Sequence, residues 1–261
     1  MNKHLKAGLL GLLVCSVAFA VLVLVPALRR PEHKGSPPTE GERLVEKTDL
    51  RKQLKRLYAP SAKKVEVVDV PRLHFIMIDG QIEPGESPGT SPGFQEAIGT
   101  LYGLSFTLKF MSKSHAEKPS DYTVMPLEGL WWSDVGELAF DKQGEWKYTL
   151  MIMQPDHITK AMYQAALRDL KKKKDSPALS RTRFESLREG PCIQIMHIGP
   201  YSEEPRTIER MKAFAEENGY ALRGRHHEIY LGDPRRAKPE RLKTILRYPI
   251  EKATRRAKGQ A

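Results

Sequence analysis

The sequence predicts an α+β fold: duplicated strand-helix-strand-strand modules forming an antiparallel sheet around a central cleft, preceded by an N-terminal hydrophobic helix. Three observations lead there. The period of hydrophobicity switches between strand-like and helix-like in the same order in two stretches, residues 65–155 and 181–251. Short sequences recur at matching places in that order, Phe75-Ile76-Met77-Ile78-Asp79-Gly80 against Gln194-Ile195-Met196-His197-Ile198-Gly199, and Glu128-Gly129-Leu130-Trp131-Trp132 against Glu228-Ile229-Tyr230-Leu231-Gly232. Residues 7–28 carry no charge at all, and about 22 residues at a rise of about 1.5 Å each cross a hydrocarbon core of about 30 Å.

Along the chain, residues 1–28 are a transmembrane anchor or a cleavable signal. Ala18-Phe19-Ala20 has the small-x-small form of a cleavage site after Lys3 and Lys6, whereas the apolar run continues beyond it, as an anchor's would. Retained, the segment is a single-pass membrane anchor; cleaved, it exports the domain. Arg29, Arg30 and Lys34 on its far side mildly favour a cytoplasmic domain. Residues 29–48, rich in Pro, Gly, Glu and Lys, read as a flexible spacer. The folded domain spans 49–251. It starts with a short helix over 49–58, with Leu50, Leu54, Leu57 and Tyr58 at helical spacing.

The first module has a strand at 73–79, a helix at 94–111, and strands at 122–132 and 146–154, with Pro126 as a bulge in the third element. A helix at 159–174 connects the halves. A strand at 181–187 pairs into the second half across the turn Glu189-Gly190-Pro191. The second module then has a strand at 192–198, a helix at 205–218, and strands at 226–231 and 242–250. Residues 252–261 form a basic tail.

The formal charge of +11 raises the question of nucleic acid, but the basic runs lie at the periphery without interleaved stacking aromatics, so no specific nucleic-acid binding is expected. Two cysteines, Cys15 and Cys192, make neither a disulfide framework nor a metal cluster. In His226-His227-Glu228, neighbours on a strand point to opposite faces and no third ligand is evident. No nucleotide fingerprint appears, and neither a cofactor nor a metal is expected.

Two carboxylates stand out. Strand alternation puts Tyr122, Glu128 and Trp132 on one face, and Glu228 with Tyr230 on another, with Ile229 and Leu231 turned to a helix. If the modules meet on a pseudo-two-fold axis, Glu128 and Glu228 look into one cleft. Desolvation in an aromatic pocket raises a carboxylate's pKa and suits it to take a proton from water or to hold a cation. Trp132, Tyr122, Tyr201 and Tyr230 supply flat walls with polar tips for a small aromatic or amphipathic organic molecule.

Residues 195–201 (Ile-Met-His-Ile-Gly-Pro-Tyr), Glu217-Asn218-Gly219-Tyr220, Glu228-Ile229-Tyr230-Leu231-Gly232-Asp233-Pro234 and Tyr248-Pro249-Ile250 resemble the GyrI-like small-molecule-binding superfamily. Residues 121–132, 151–156 and 171–175 are similar to its stand-alone bacterial branch, which includes cyclopropanoid cyclopropyl hydrolases. The resemblance implies a duplicated fold with an aromatic cleft and an acidic residue on the Glu228 strand that contacts the ligand. It also implies hydrolysis of electrophilic cyclopropane-containing xenobiotics. Glu228 is then the base that activates water and Tyr122 its orienting partner, while Glu128, Trp132, Tyr201 and Tyr230 bind ligand. The expected function is a membrane-tethered small-molecule-binding domain of this hydrolytic type. The alternative is a non-catalytic binding or sensing module for amphipathic or cationic small molecules.

Overall fold

A computed structural model describes residues 46–134, 146–173 and 176–253. The expected anchor, all but the end of the spacer, and nearly all of the basic tail lie outside the described residues. Among the described residues, no helix is long and apolar enough to cross a membrane.

Strand β1 (Lys47–Thr48) precedes two single-turn helices, α1 (Leu50–Gln53) and α2 (Lys55–Tyr58). The Asp49 carboxylate caps α1 by accepting from the Arg51 amide at 3.1 Å. There follow β2 (Glu66–Gln81), α3 (Pro92–Lys113), β3 (Asp121–Tyr122), β4 (Leu127–Trp132), β5 (Lys147–Gln154) and α4 (Lys160–Lys173). The remainder is β6 (Thr182–Ile198), α5 (Glu204–Glu217), β7 (Tyr220–Leu222), β8 (His226–Tyr230) and β9 (Lys243–Lys252). The order strand, helix, strand, strand recurs in β2-α3-β4-β5 and β6-α5-β8-β9.

The strands run in the order β6-β2-β5-β4-β8-β9-β7, and β6 also pairs with β9. The antiparallel sheet therefore curls into a barrel-like arrangement, with most strand edges covered. Ile193, Ile195 and Leu246 turn outward, where α5 covers them with Ile208, Met211 and Ala215. Phe94 of α3 packs on Tyr148 and Trp131.

Two elements differ from the sequence reading. The turn at 189–191 is not a hairpin: β6 runs straight through it with Gly190 at φ 71. Its residues 182–188 pair with β2 of the first half, from Ile78↔Thr182 to Arg72↔Arg188. A glycine free of Cβ repulsion bends a strand there without ending it. Likewise, 122–132 is two strands, because residues 123–126 leave the ladder before Pro126. Tyr122 belongs to a separate parallel pair, Thr48↔Tyr122.

Inside the barrel sits a chain of buried polar groups. Glu128 accepts from the Tyr58 hydroxyl at 2.8 Å and lies 3.0 Å from His227 Nε2. The other ring nitrogen of His227 lies 3.0 Å from Glu189, and Glu189 accepts from Arg247 at 3.2 Å. Arg247 also donates to Gln194 and, at 2.8 Å, to the Leu57 carbonyl. Burial opposes both charges, yet each carboxylate's neighbours overrule it. His227 is pushed up to about 9 by Glu189 and Glu128, and Glu189 is held at about 2 by His227 and Arg247.

Candidate functional site

The antiparallel register decides which side chains share a face. Glu228 lies opposite Gly129, and Glu128 opposite Ile229. The two glutamates therefore point to opposite sides of the sheet, which corrects the expectation that they converge. The matched sequences are offset by one residue from a symmetric pairing, and one residue is enough to flip a face. Glu128 points into the barrel, in the buried chain with His227. Glu228 points outward, opposite Leu246 of β9 in the cluster beneath α5. The Glu228 face lies toward α5, whereas the Ile229 face is shared with Glu128 and meets Tyr58 of α2.

On that outer face Glu228 is 7% exposed. Its Oε1 lies 3.1 Å from His226 Nε2, two residues back on the same strand. The Tyr230 hydroxyl accepts from Trp131 Nε1 at 2.9 Å, and burial followed by the nearby Glu228 charge pushes this phenol up. Tyr201 meets the Tyr230 ring edge-on at 6.1 Å between centroids. Glu204, in the first turn of α5, is 2% exposed, and its Oε1 has no hydrogen-bond partner among the described residues. Burial, followed by the negative charge of Glu228, raises the Glu204 carboxyl well above the usual range and so favours its protonated form. Burial and the same carboxylates keep Tyr230 and Tyr201 as neutral phenols.

Gly129 is what lets this group form. A Cβ there would lie 2.8 Å from Trp131 Nε1 and 3.2 Å from Tyr230 Oη, so both rings would have to move. Gly129→Ala is expected to break the Trp131–Tyr230 bond. The result is a shift in intrinsic tryptophan fluorescence and about tenfold weaker ligand binding, matching the loss of about 1.5 kcal/mol.

Of the residues singled out in the sequence, the structure brings together Glu228, Tyr230 and Tyr201. The Tyr122 hydroxyl instead donates to Gln154 at 3.3 Å, and its ring stands edge-on to His157. Trp132 faces elsewhere, with the Arg225 guanidinium stacked 3.5 Å above its ring. It lines a cavity of about 510 Å³ together with Asp79, Tyr148, Arg181 and Arg225. Glu228 is not in that cavity, but Tyr148 packs against Trp131, so aromatic rings run from the cavity to the Glu228 carboxylate. Sequence reasoning missed Glu204, Trp131 and His226 as parts of the site. The signal for His226 and Trp131 was present in strand alternation, once Gly129 is known to lie opposite Glu228. Among the described residues no group of three or more His, Cys, Asp or Glu is arranged to hold a metal.

The chain is similar to an uncharacterized conserved protein from Listeria innocua, at 37% identity over 78% of this chain and 99% of that one, with a TM-score of 0.70. Two Listeria innocua crystal structures described as hydrolases are each 38% identical, covering 78% and 79% of this chain and 99% and 100% of their own, with TM-scores of 0.67 and 0.69. No curated protein matches. The profile of the GyrI-like small molecule binding domain matches residues 63–251, and the chain, with its barrel-like α+β fold, belongs to that family.

Proposed function

We propose that this chain is a membrane-tethered hydrolase that opens electrophilic, cyclopropane-containing small molecules at Glu228, with residues 7–28 as the tether. The observation that carries the reading is the buried Glu228 carboxylate, oriented by Tyr230 and His226 beside Glu204. The related Listeria proteins described as hydrolases support it. A carboxyl group that burial holds toward its protonated form, set beside a second one, suits an acid-base pair. Glu228 takes a proton from water as its oxygen bonds to a ring carbon. The strained C–C bond breaks, and its electron pair flows into the conjugated carbonyl. Glu204 gives its proton to that oxygen, and return of the proton from Glu228 to Glu204 restores the site. Net, one water is added. The orienting role read for Tyr122 passes to Tyr230, two residues along β8 from Glu228 and on the same face. The recurring element order further supports the inference that the two halves are copies, diverged until only one carries the reactive carboxylate.

The test is incubation of the purified full chain with a cyclopropane-containing alkylator, followed by mass spectrometry. Ring-opened product above the level of a Glu228→Gln variant is expected. Saturable binding with the ligand recovered unchanged would instead assign a binding module. Glu204→Gln keeps the shape but cannot give up a proton in the same way, so kcat should fall by about 10²-fold. Binding of an unreactive analogue should stay unchanged. The alkaline fall in wild-type activity, where Glu204 loses its proton, should disappear in that variant.

A further inference from the structure

The side of α3 turned away from the sheet carries Phe106 and Phe110 at four-residue spacing, with Tyr102 one turn before them half-buried at the edge of the core. Tyr102 and Phe106 stack with centroids 6.4 Å apart. Phe106 is 46% and Phe110 60% exposed, although a solvated helix face ordinarily carries polar residues. Lys109 and Lys113 lie along the same row. Both pair with Asp121, Lys113 at 3.5 Å with 54% of its side chain exposed.

The place where the described chain begins gives this row a context. Lys47 pairs with Asp121 in the β1–β3 ladder, and Asp121 holds the lysines of α3. The described chain therefore begins beside the C-terminal half of α3, where Phe110 lies. The spacer between residue 28 and β1 has about 18 residues, with a coil reach of about 20–25 Å. A tether at residues 7–28 thus holds this face within reach of a bilayer.

We propose that Phe106 and Phe110, flanked by Lys113, form a membrane-contact face that lies on an anionic lipid surface. The two phenylalanines sink to the boundary of headgroups and acyl chains, and Lys113 reaches the headgroups along its apolar stem. The chain's charge of +11 favours such a surface. The proposal rests on the tether proposed above.

The experiment uses the full chain reconstituted in vesicles of phosphatidylcholine and phosphatidylglycerol. Cys15 is replaced by Ser, and Ser114→Cys, at the exposed end of α3, carries an environment-sensitive fluorophore; Cys192 is buried and escapes labelling. The expected result is a blue-shifted emission, quenched by lipids bearing a nitroxide near the headgroup. Both effects should be lost in Phe106→Ser/Phe110→Ser, while that variant still floats with the vesicles. Flotation of the wild type without quenching overturns the face and leaves the tether standing. Failure of every form to float overturns the tether and the face with it. Equal quenching in the double variant removes the phenylalanines from the contact and overturns the proposal. Protection of the label without quenching, with a dimer on sedimentation, assigns the face to a second copy and also overturns it.

Discussion

Replacing Glu228 by Gln is expected to lower the rate of ring opening by about 10²–10⁴-fold, the usual worth of a positioned proton acceptor. The amide keeps the size of the carboxylate, so the pocket should keep its shape. Loss of the charge removes only the proton-taking step. Single-turnover kinetics separate the two effects: the chemical step should slow, while the affinity for an unreactive analogue changes little. A variant with unchanged chemistry would remove Glu228 from the reaction. Loss of affinity with no wild-type turnover would make it a counter-charge for a bound cation.

The second large effect concerns stability. Arg247→Met should destabilise the fold by about 3–5 kcal/mol, because Glu189 would stay buried without its guanidinium partner. The Leu57 carbonyl and Gln194 would each lose a donor as well. Denaturant unfolding should show the loss as a lower midpoint at unchanged slope. The same network sets a pH dependence. His227 rises from an ordinary 6.5 to about 9 on folding, so its contribution is complete below about 6.5 and is lost as pH climbs through 9. Glu189 falls from an ordinary 4.5 to about 2, so its contribution is complete above 4.5 and is lost as pH falls through 2. Stability should therefore be greatest between about 4.5 and 6.5. His227→Gln should flatten the alkaline limb and also weaken the acid limb, because His227 helps hold Glu189 down; thermal unfolding across pH would read both changes directly.

Much of the fold was legible before any coordinates. Helical spacing in α3 and α5, and strand runs read at 73–79, 146–154, 226–231 and 242–250, are local properties that a short window of sequence contains. So is a cap at Thr48 or Asp49, of which the structure uses Asp49. The continuity of β6 was not legible, since Glu189-Gly190-Pro191 has the composition of a turn. Only a partner as long as β2 makes a strand continue through such residues. The break before Pro126 was visible as a proline, but its consequence for Tyr122 depended on β1 pairing with β3.

The opening expectation of an α+β chain with an acidic residue on the Glu228 strand follows from sequence alone, because period, turn chemistry and residue type are written along the chain. Which glutamate meets the outer site and which is spent inside the barrel is decided by the tertiary structure. A β-strand has a side-chain period of two, and a register of Glu228 on Gly129 rather than on Glu128 sends the two carboxylates to opposite faces. Glu204 joins the site for the same kind of reason. Helix α5 packs across β6 and β9 and lowers its first turn onto the face that β8 turns outward, a contact between residues that no window of sequence holds together.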